Sequence, residues 1–297
     1  MRPITLTVGL EKKSSLSHFA AALKLHTRAL AHFRMTRHWL GVLNSDQMLR
    51  ELAHAQPRLI HKVYRPWLSQ RMNRRERLAA LVGHYRFILR QGLGALVAEA
   101  ARGPVQLAAF AGKSGTPYSI ELCAIVPMER EGELVLQLRR DGTLVCSVAF
   151  SFLNDGPHMQ IGVGCIQGPS CGAGLELMRE ATRELHGLRP KSLLVRLLRH
   201  LGHASGCARM VLVCNKNRTA ARTAQRDGKI KACYDSLWLE MGATARPDGD
   251  YELACSALQP PEFEAVPSKK RSEMRKRHDM LALLNADVLA RLVPQTP

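Results

Sequence analysis

The period of the apolar residues changes once along this chain, and that change fixes the class of fold open to it. Between residues 14 and 100 the apolar side chains recur at helical spacing. Leu16, Phe19, Ala20, Leu23, Ala29, Leu30 and Phe33 form one series, and Leu78, Leu81, Val82, Tyr85, Ile88, Leu89, Leu93 and Val97 a longer one. Intervals of three and four residues gather side chains on one helix face, whereas a strand alternates every second residue. After Gly103-Pro104 the pattern becomes one of short apolar runs, at 105–111 and 118–126. Runs at 133–140, 143–153 and 158–166 follow, separated by Asp141-Gly142 and by Asn154-Asp155-Gly156-Pro157. Both separators are turn chemistry, so these last three runs are predicted to form an antiparallel meander.

The chain then returns to helical spacing. Leu177, Met178, Ala181 and Leu185 make one stripe, ended by Gly187. Pro190 stands where a first helical residue would, ahead of Leu193, Leu194, Leu197, Leu198 and Leu201, and Gly206 closes that helix. A strand at 209–214, a polar loop at 215–229, a helix at 231–241 and a strand at 250–255 complete the pattern. Residues 259–268 are rich in proline, and the tail from 269 is basic and helical. The predicted class is α/β: an N-terminal helical region, then a mixed, mainly antiparallel twisted sheet covered by helices. Three segments are expected, 1–104, 105–258 and 259–297.

Charge is unevenly placed. Residues 1–104 hold 18 Lys/Arg against 5 Asp/Glu, a balance of +13 out of a total of +18. Such a region favours polyanionic partners, here anionic lipid headgroups or an acidic protein. Nucleic acid ranks lower, because no aromatic-rich platform accompanies the charge. An amphipathic basic helix either lies on a membrane or turns its apolar stripe to a core, and the core orientation is expected.

The eight cysteines include no Cys-x-x-Cys, and most lie within apolar runs, which suits small buried side chains rather than zinc ligands or disulfides. Residues 1–10 carry no apolar signal core, and no run of 18 apolar residues occurs. A reducing cytoplasmic setting is therefore expected, with peripheral contact at the inner membrane. Gly112-Lys113-Ser114 lacks the first glycine of a phosphate loop, since position 107 is Leu. No His-Glu-x-x-His is present.

Several segments resemble the VirK/YbjX family of bacterial proteins. They are Tyr64-Arg65-Pro66-Trp67-Leu68 with His84-Tyr85-Arg86-Phe87; Gly164-Cys165-Ile166-Gln167-Gly168-Pro169; His186-Gly187-Leu188-Arg189-Pro190-Lys191; Tyr234-Asp235-Ser236-Leu237-Trp238; and the basic tail through Arg277. That resemblance implies an association with virulence, envelope integrity and resistance to cationic antimicrobial peptides, and no agreed reaction. The order meander, helix, strand, helix, strand also resembles the GCN5-related acetyltransferase fold. This second likeness implies a coenzyme A derivative as cofactor, held by a loop approximated by Gln167 to Gly174.

The candidate ligand site is the start of the Pro190 helix, whose unpaired amides and dipole favour an anion. Gln167, Gly168, Arg189, Lys191, Ser192 and Asn215 are its candidate binding residues. Tyr234 is the candidate general acid and His158 a candidate base. Two functions follow: a basic peripheral protein that binds anionic lipid or an acidic partner, or an N-acyltransferase that takes an acyl-CoA or aminoacyl donor to an envelope component.

Overall fold

A computed structural model describes residues 2–10, 15–156, 158–169, 172–219, 233–262, 264 and 267–293. Helices α1 (Ser15–Ala31), α2 (Phe33–Asn44), α3 (Gln47–Ala55), α4 (Arg74–Arg90) and α5 (Gly94–Ala100) precede the sheet, with a 3-10 segment at Pro57–Tyr64. Local chemistry starts α4. The Asn73 side chain accepts from the Arg75 and Glu76 amides, and the Glu76 carboxylate accepts from the Asn73 amide. That reciprocal cap satisfies amides the helix itself cannot.

Strands β1 (Val105–Ala111), β2 (Pro117–Ala124), β3 (Leu134–Arg140), β4 (Thr143–Asp155) and β5 (His158–Gln167) follow. All are paired antiparallel with their neighbours, so the meander has five strands rather than three. Asp141 and Gly142 both take positive φ, 46° and 73°, in the two-residue turn between β3 and β4. Helices α6 (Gly172–Glu184) and α7 (Pro190–Ala204) carry the chain across the sheet to β6 (Cys207–Leu212), which runs parallel to β5. Helix α8 (Tyr234–Glu240), β7 (Thr244–Ala245), β8 (Tyr251–Ala254) and α9 (Ser268–Leu292) complete the described chain. The sheet order is β1-β2-β3-β4-β5-β6-β8-β7, a mixed and mainly antiparallel sheet as the sequence pattern predicts.

Its two faces carry different helices. The Ile161 side chain meets Gly202 of α7, whereas any side chain at the neighbouring Gly162 would meet Leu68 of the N-terminal region. Successive strand residues point to opposite faces, so the N-terminal helices and the α7 group sandwich the sheet. A single hydrophobic cluster runs from Ile4 through the strands to Leu292, drawing residues from all three sequence segments.

One expectation is overturned. The stripe of α1 and α2 was predicted to face the core, but Phe19, Leu23, Leu30 and Phe33 are 57–74% exposed. Among the described residues of α1, Leu25 and Ala29 are the buried ones. The helix is apolar on more than one face, and spacing alone does not say which face packs.

Candidate functional site

The sheet opens at one point. Strands β5 and β6 pair as far as Val163 and Leu212, and the Val213 amide still donates to the Val163 carbonyl at 3.0 Å. Beyond that, β5 continues to Gln167 while the other chain turns away at Asn215–Asn217. A bulge lies at the parting: Phe150 faces Val163 and Ala149 faces Cys165, leaving Gly164 as the extra residue. Only glycine fits there, because a Cβ would lie 2.0 Å from the Glu131 carbonyl oxygen.

Tyr234 fills the parting. Its hydroxyl accepts from the Ile166 amide at 3.2 Å and lies 3.0 Å from Cys165 Sγ. The ring is buried and stands edge-on to Trp238, whose Nε1 donates to the Val213 carbonyl. Burial raises the Tyr234 pKa well above its usual value, so the phenol keeps its proton at neutral pH. Burial also holds the Cys165 and Cys146 thiols protonated, with pKa values near 11 and 12.

Two cations converge on this point. The Arg218 guanidinium lies 4.0 Å from the centre of the Tyr234 ring. Lys191, the second residue of α7, is half-buried. Burial lowers its pKa first, and its charge acts on Cys146, Cys165 and Arg218. Among the described residues neither cation has an ion pair or hydrogen bond to an acidic side chain. The nearby carboxylate of Glu131 accepts instead from the Thr219 hydroxyl at 2.8 Å. Helix α7 also has no side-chain cap and no acidic residue in its first turn, which leaves the Lys191 and Ser192 amides without a helical partner.

The expected site residues separate into those this notch gathers and those it does not. Tyr234 lies there beside Cys165, the charge of Lys191 acts on that same thiol, and Ser192 is half-buried on the same helix turn as Lys191. Asn215 lies beside it but is fully engaged. Its Oδ1 accepts from the Tyr234 amide at 3.0 Å, and its Nδ2 donates to Asp235 at 3.1 Å, so it ties the end of β6 to α8. Gln167 pairs with Ser147 at the end of β5, and Gly168 packs against the Val145 carbonyl, next to Cys146. Their loop enters α6 rather than α7, and its Ser170 and Cys171 lie outside the described residues. Gly168-Pro169-Ser170-Cys171-Gly172 also has the Gly-x-Ser-x-Gly spacing of a nucleophile turn in the sequence between β5 and α6.

Arg189 departs from expectation. It turns outward to Glu240, 2.5 Å away, with both side chains more than half exposed. An accessible carboxylate at the end of α8 is a cheaper partner than a desolvated position under the sheet. His158 departs as well. It is exposed at the opposite end of β5, seven residues from Cys165, which is about 23 Å along a strand. Tyr234 and His158 therefore do not form an acid–base pair.

Sequence reasoning missed Arg218, which it left within a polar loop, and a buried ionic group under the N-terminal helices. Lys62 and the Tyr85 hydroxyl both donate to the Glu133 carboxylate, and His84 beside them is fully buried. Burial, and after it the Lys62 charge, lowers the His84 pKa to about 3; His84 Nδ1 accepts from the Phe152 amide at 3.2 Å. The available signal was a lone Lys within Leu59-Ile60-His61-Lys62-Val63 and a lone Glu opening the run Leu134-Val135-Leu136.

Comparison with known proteins gives a family without a described activity. The model of a protein family of unknown function, DUF535, matches residues 14–290. Escherichia coli K12 has a relative, the uncharacterized protein YbjX, 27% identical over 263 residues, covering 87% of this chain and 79% of the relative. An uncharacterized protein of Haemophilus influenzae is 31% identical over 159 residues, 53% of this chain and 52% of that one. Among solved structures, a cAMP-binding acyltransferase from Mycobacterium smegmatis aligns with 72% of this chain and 60% of its own at 10% identity. Its TM-score is 0.30, too slight a likeness to bear on activity. Matched over nearly its whole length, the chain belongs to the DUF535 family, the VirK/YbjX group that its motifs resemble.

Proposed function

We propose that this protein is an acyltransferase whose donor is a coenzyme A-type thioester, bound in the notch between β5 and β6. The observation that carries the reading is a buried phenol, at the point where two paired strands part, with the Arg218 guanidinium over its ring and the Lys191 charge close by; among the described residues neither cation has an acidic partner. Phosphate groups suit such cations and the uncapped amides of α7. The phenol oxygen of Tyr234 accepts from Ile166, which leaves its own hydrogen to give. In the transfer, an acceptor amine forms a C–N bond to the acyl carbon as the C–S bond breaks. Tyr234 protonates the departing thiolate and regains the proton that the amine loses.

The test is thermal unfolding with coenzyme A and acetyl-coenzyme A. A ligand at about 100 times its Kd adds about 2.7 kcal/mol, which for a chain of this size is a rise of about 5–10 °C. The Lys191→Met/Arg218→Met variant should lose that rise. An unchanged response in the variant, or none in the wild type, refutes the reading.

A second reading, a basic protein seated on the anionic inner face of the membrane, is favoured by the +13 of residues 1–104 and by the exposed apolar face of α1. The envelope and antimicrobial-peptide associations that the family resemblance implies would belong to this membrane setting. No helix among the described residues is long and apolar enough to cross a membrane.

A further inference from the structure

We infer that the outward face of α1, continued by Phe33 of α2, is the element that docks this protein on an anionic bilayer. The inference rests on the membrane reading and is independent of acyl transfer in the notch. Phe19 is 70% exposed, Leu23 57%, Leu30 74% and Phe33 61%. At 3.6 residues per turn, Phe19, Leu23 and Leu30 fall within an arc of about 40° on α1. The buried Leu25 and Ala29 point the other way, which fixes this arc as the outward one. Large apolar side chains gathered on a surface mark a contact site rather than ordinary exposure.

The charge around this face identifies the occupant. From residue 14 to 45 the chain carries Lys24, Arg28, Arg34 and Arg37 and no Asp or Glu. Lys24, Arg34 and Arg37 are exposed, and among the described residues none of these four cations has an acidic partner. A second copy of the chain seated on this face would bring the cations of one stretch against those of the other, with no carboxylate within residues 14–45 to answer them. An anionic bilayer answers both features: apolar side chains enter the headgroup boundary while Lys and Arg reach the phosphates. A helix lying in the interface needs only this, whereas spanning requires a longer apolar stretch.

Flotation with vesicles of phosphatidylcholine, with and without phosphatidylglycerol at about a third of the lipid, tests the inference. The full chain should bind the anionic vesicles, and the binding should weaken with salt. Phe19→Ser/Leu23→Ser/Leu30→Ser should lower the partition coefficient about tenfold or more with an unchanged melting temperature, because these side chains support no core. Lys24→Gln/Arg34→Gln/Arg37→Gln should remove most of the salt-dependent part. If the wild type binds neither vesicle, the membrane reading falls and the docking face with it. If the wild type binds and the serine variant binds equally, the reading survives and this face is not the docking element. Wild-type dimers that the serine variant abolishes, without vesicle binding, would assign the face to self-association and overturn the inference.

Discussion

Removing the charge of Glu133 should destabilise this protein more than almost any other single-atom change. The Lys62 and Glu133 side chains are 4% and 1% exposed and lie 71 residues apart in sequence, so their ion pair pins the N-terminal layer to the start of β3. The Tyr85 hydroxyl adds a second bond to the same carboxylate. In Glu133→Gln the Lys62 ammonium stays desolvated and loses its counter-charge, a change that costs about 3–5 kcal/mol. At about 2–4 °C per kcal/mol for a chain of this length, the melting temperature should fall by about 6–20 °C. Apolar replacement of both partners, Lys62→Met/Glu133→Leu, removes the stranded charge and should recover much of that loss. The cycle should therefore be non-additive by about 2 kcal/mol or more. Urea unfolding followed by circular dichroism on the wild type, Lys62→Met, Glu133→Leu, Glu133→Gln and the double variant measures each corner. A Glu133→Gln protein within about 1 kcal/mol of wild type would refute the reasoning. So would a double variant as unstable as the sum of its two single replacements.

Other consequences are as specific. Gly164→Ala places a Cβ 2.0 Å from the Glu131 carbonyl oxygen, so the bulge must reshape at a cost of about 1–3 kcal/mol or more, read as a lower urea midpoint. Tyr234→Phe leaves the Ile166 amide without its partner and should lose about 1–3 kcal/mol of stability, together with acyl-transfer rate in a thiol-release assay. His84 is held neutral in the fold to about pH 3, whereas the unfolded chain takes up that proton near 6.5. The unfolded state thus binds more protons between these values, and stability should fall with acid across that window by at most about 1.4 kcal/mol per pH unit. Above pH 6.5 this residue contributes no slope, and His84→Gln should flatten the acid limb of a stability–pH profile.

The sequence speaks clearly where a local rule decides. Asp141-Gly142 specifies a turn with two positive φ values, Pro190 opens α7, and the switch of period after Pro104 locates the first strand. These features depend on a few consecutive residues and need no tertiary context. The orientation of α1 is illegible because the helix offers apolar residues on two faces, and only packing of Leu25 and Ala29 selects between them. The notch is half legible. Tyr234 and Lys191 are visible as motif residues, but the place Tyr234 takes beside Cys165 requires β5 and β6 to part after Val163, a long-range event. Arg218 carries no local pattern and gains its place only through the Tyr234 ring. Arg189 shows the converse, since its neighbour Lys191 turns inward while it finds Glu240 at the surface.

A crystal structure of the full chain grown with coenzyme A tests the notch most directly. Phosphate oxygens within about 3 Å of Lys191 Nζ or the Arg218 guanidinium, with the sulfur beside the Tyr234 hydroxyl, are the predicted outcome. Coenzyme A bound elsewhere, or absent at saturating concentration while Lys191 and Arg218 are paired with carboxylates of the chain itself, would contradict it.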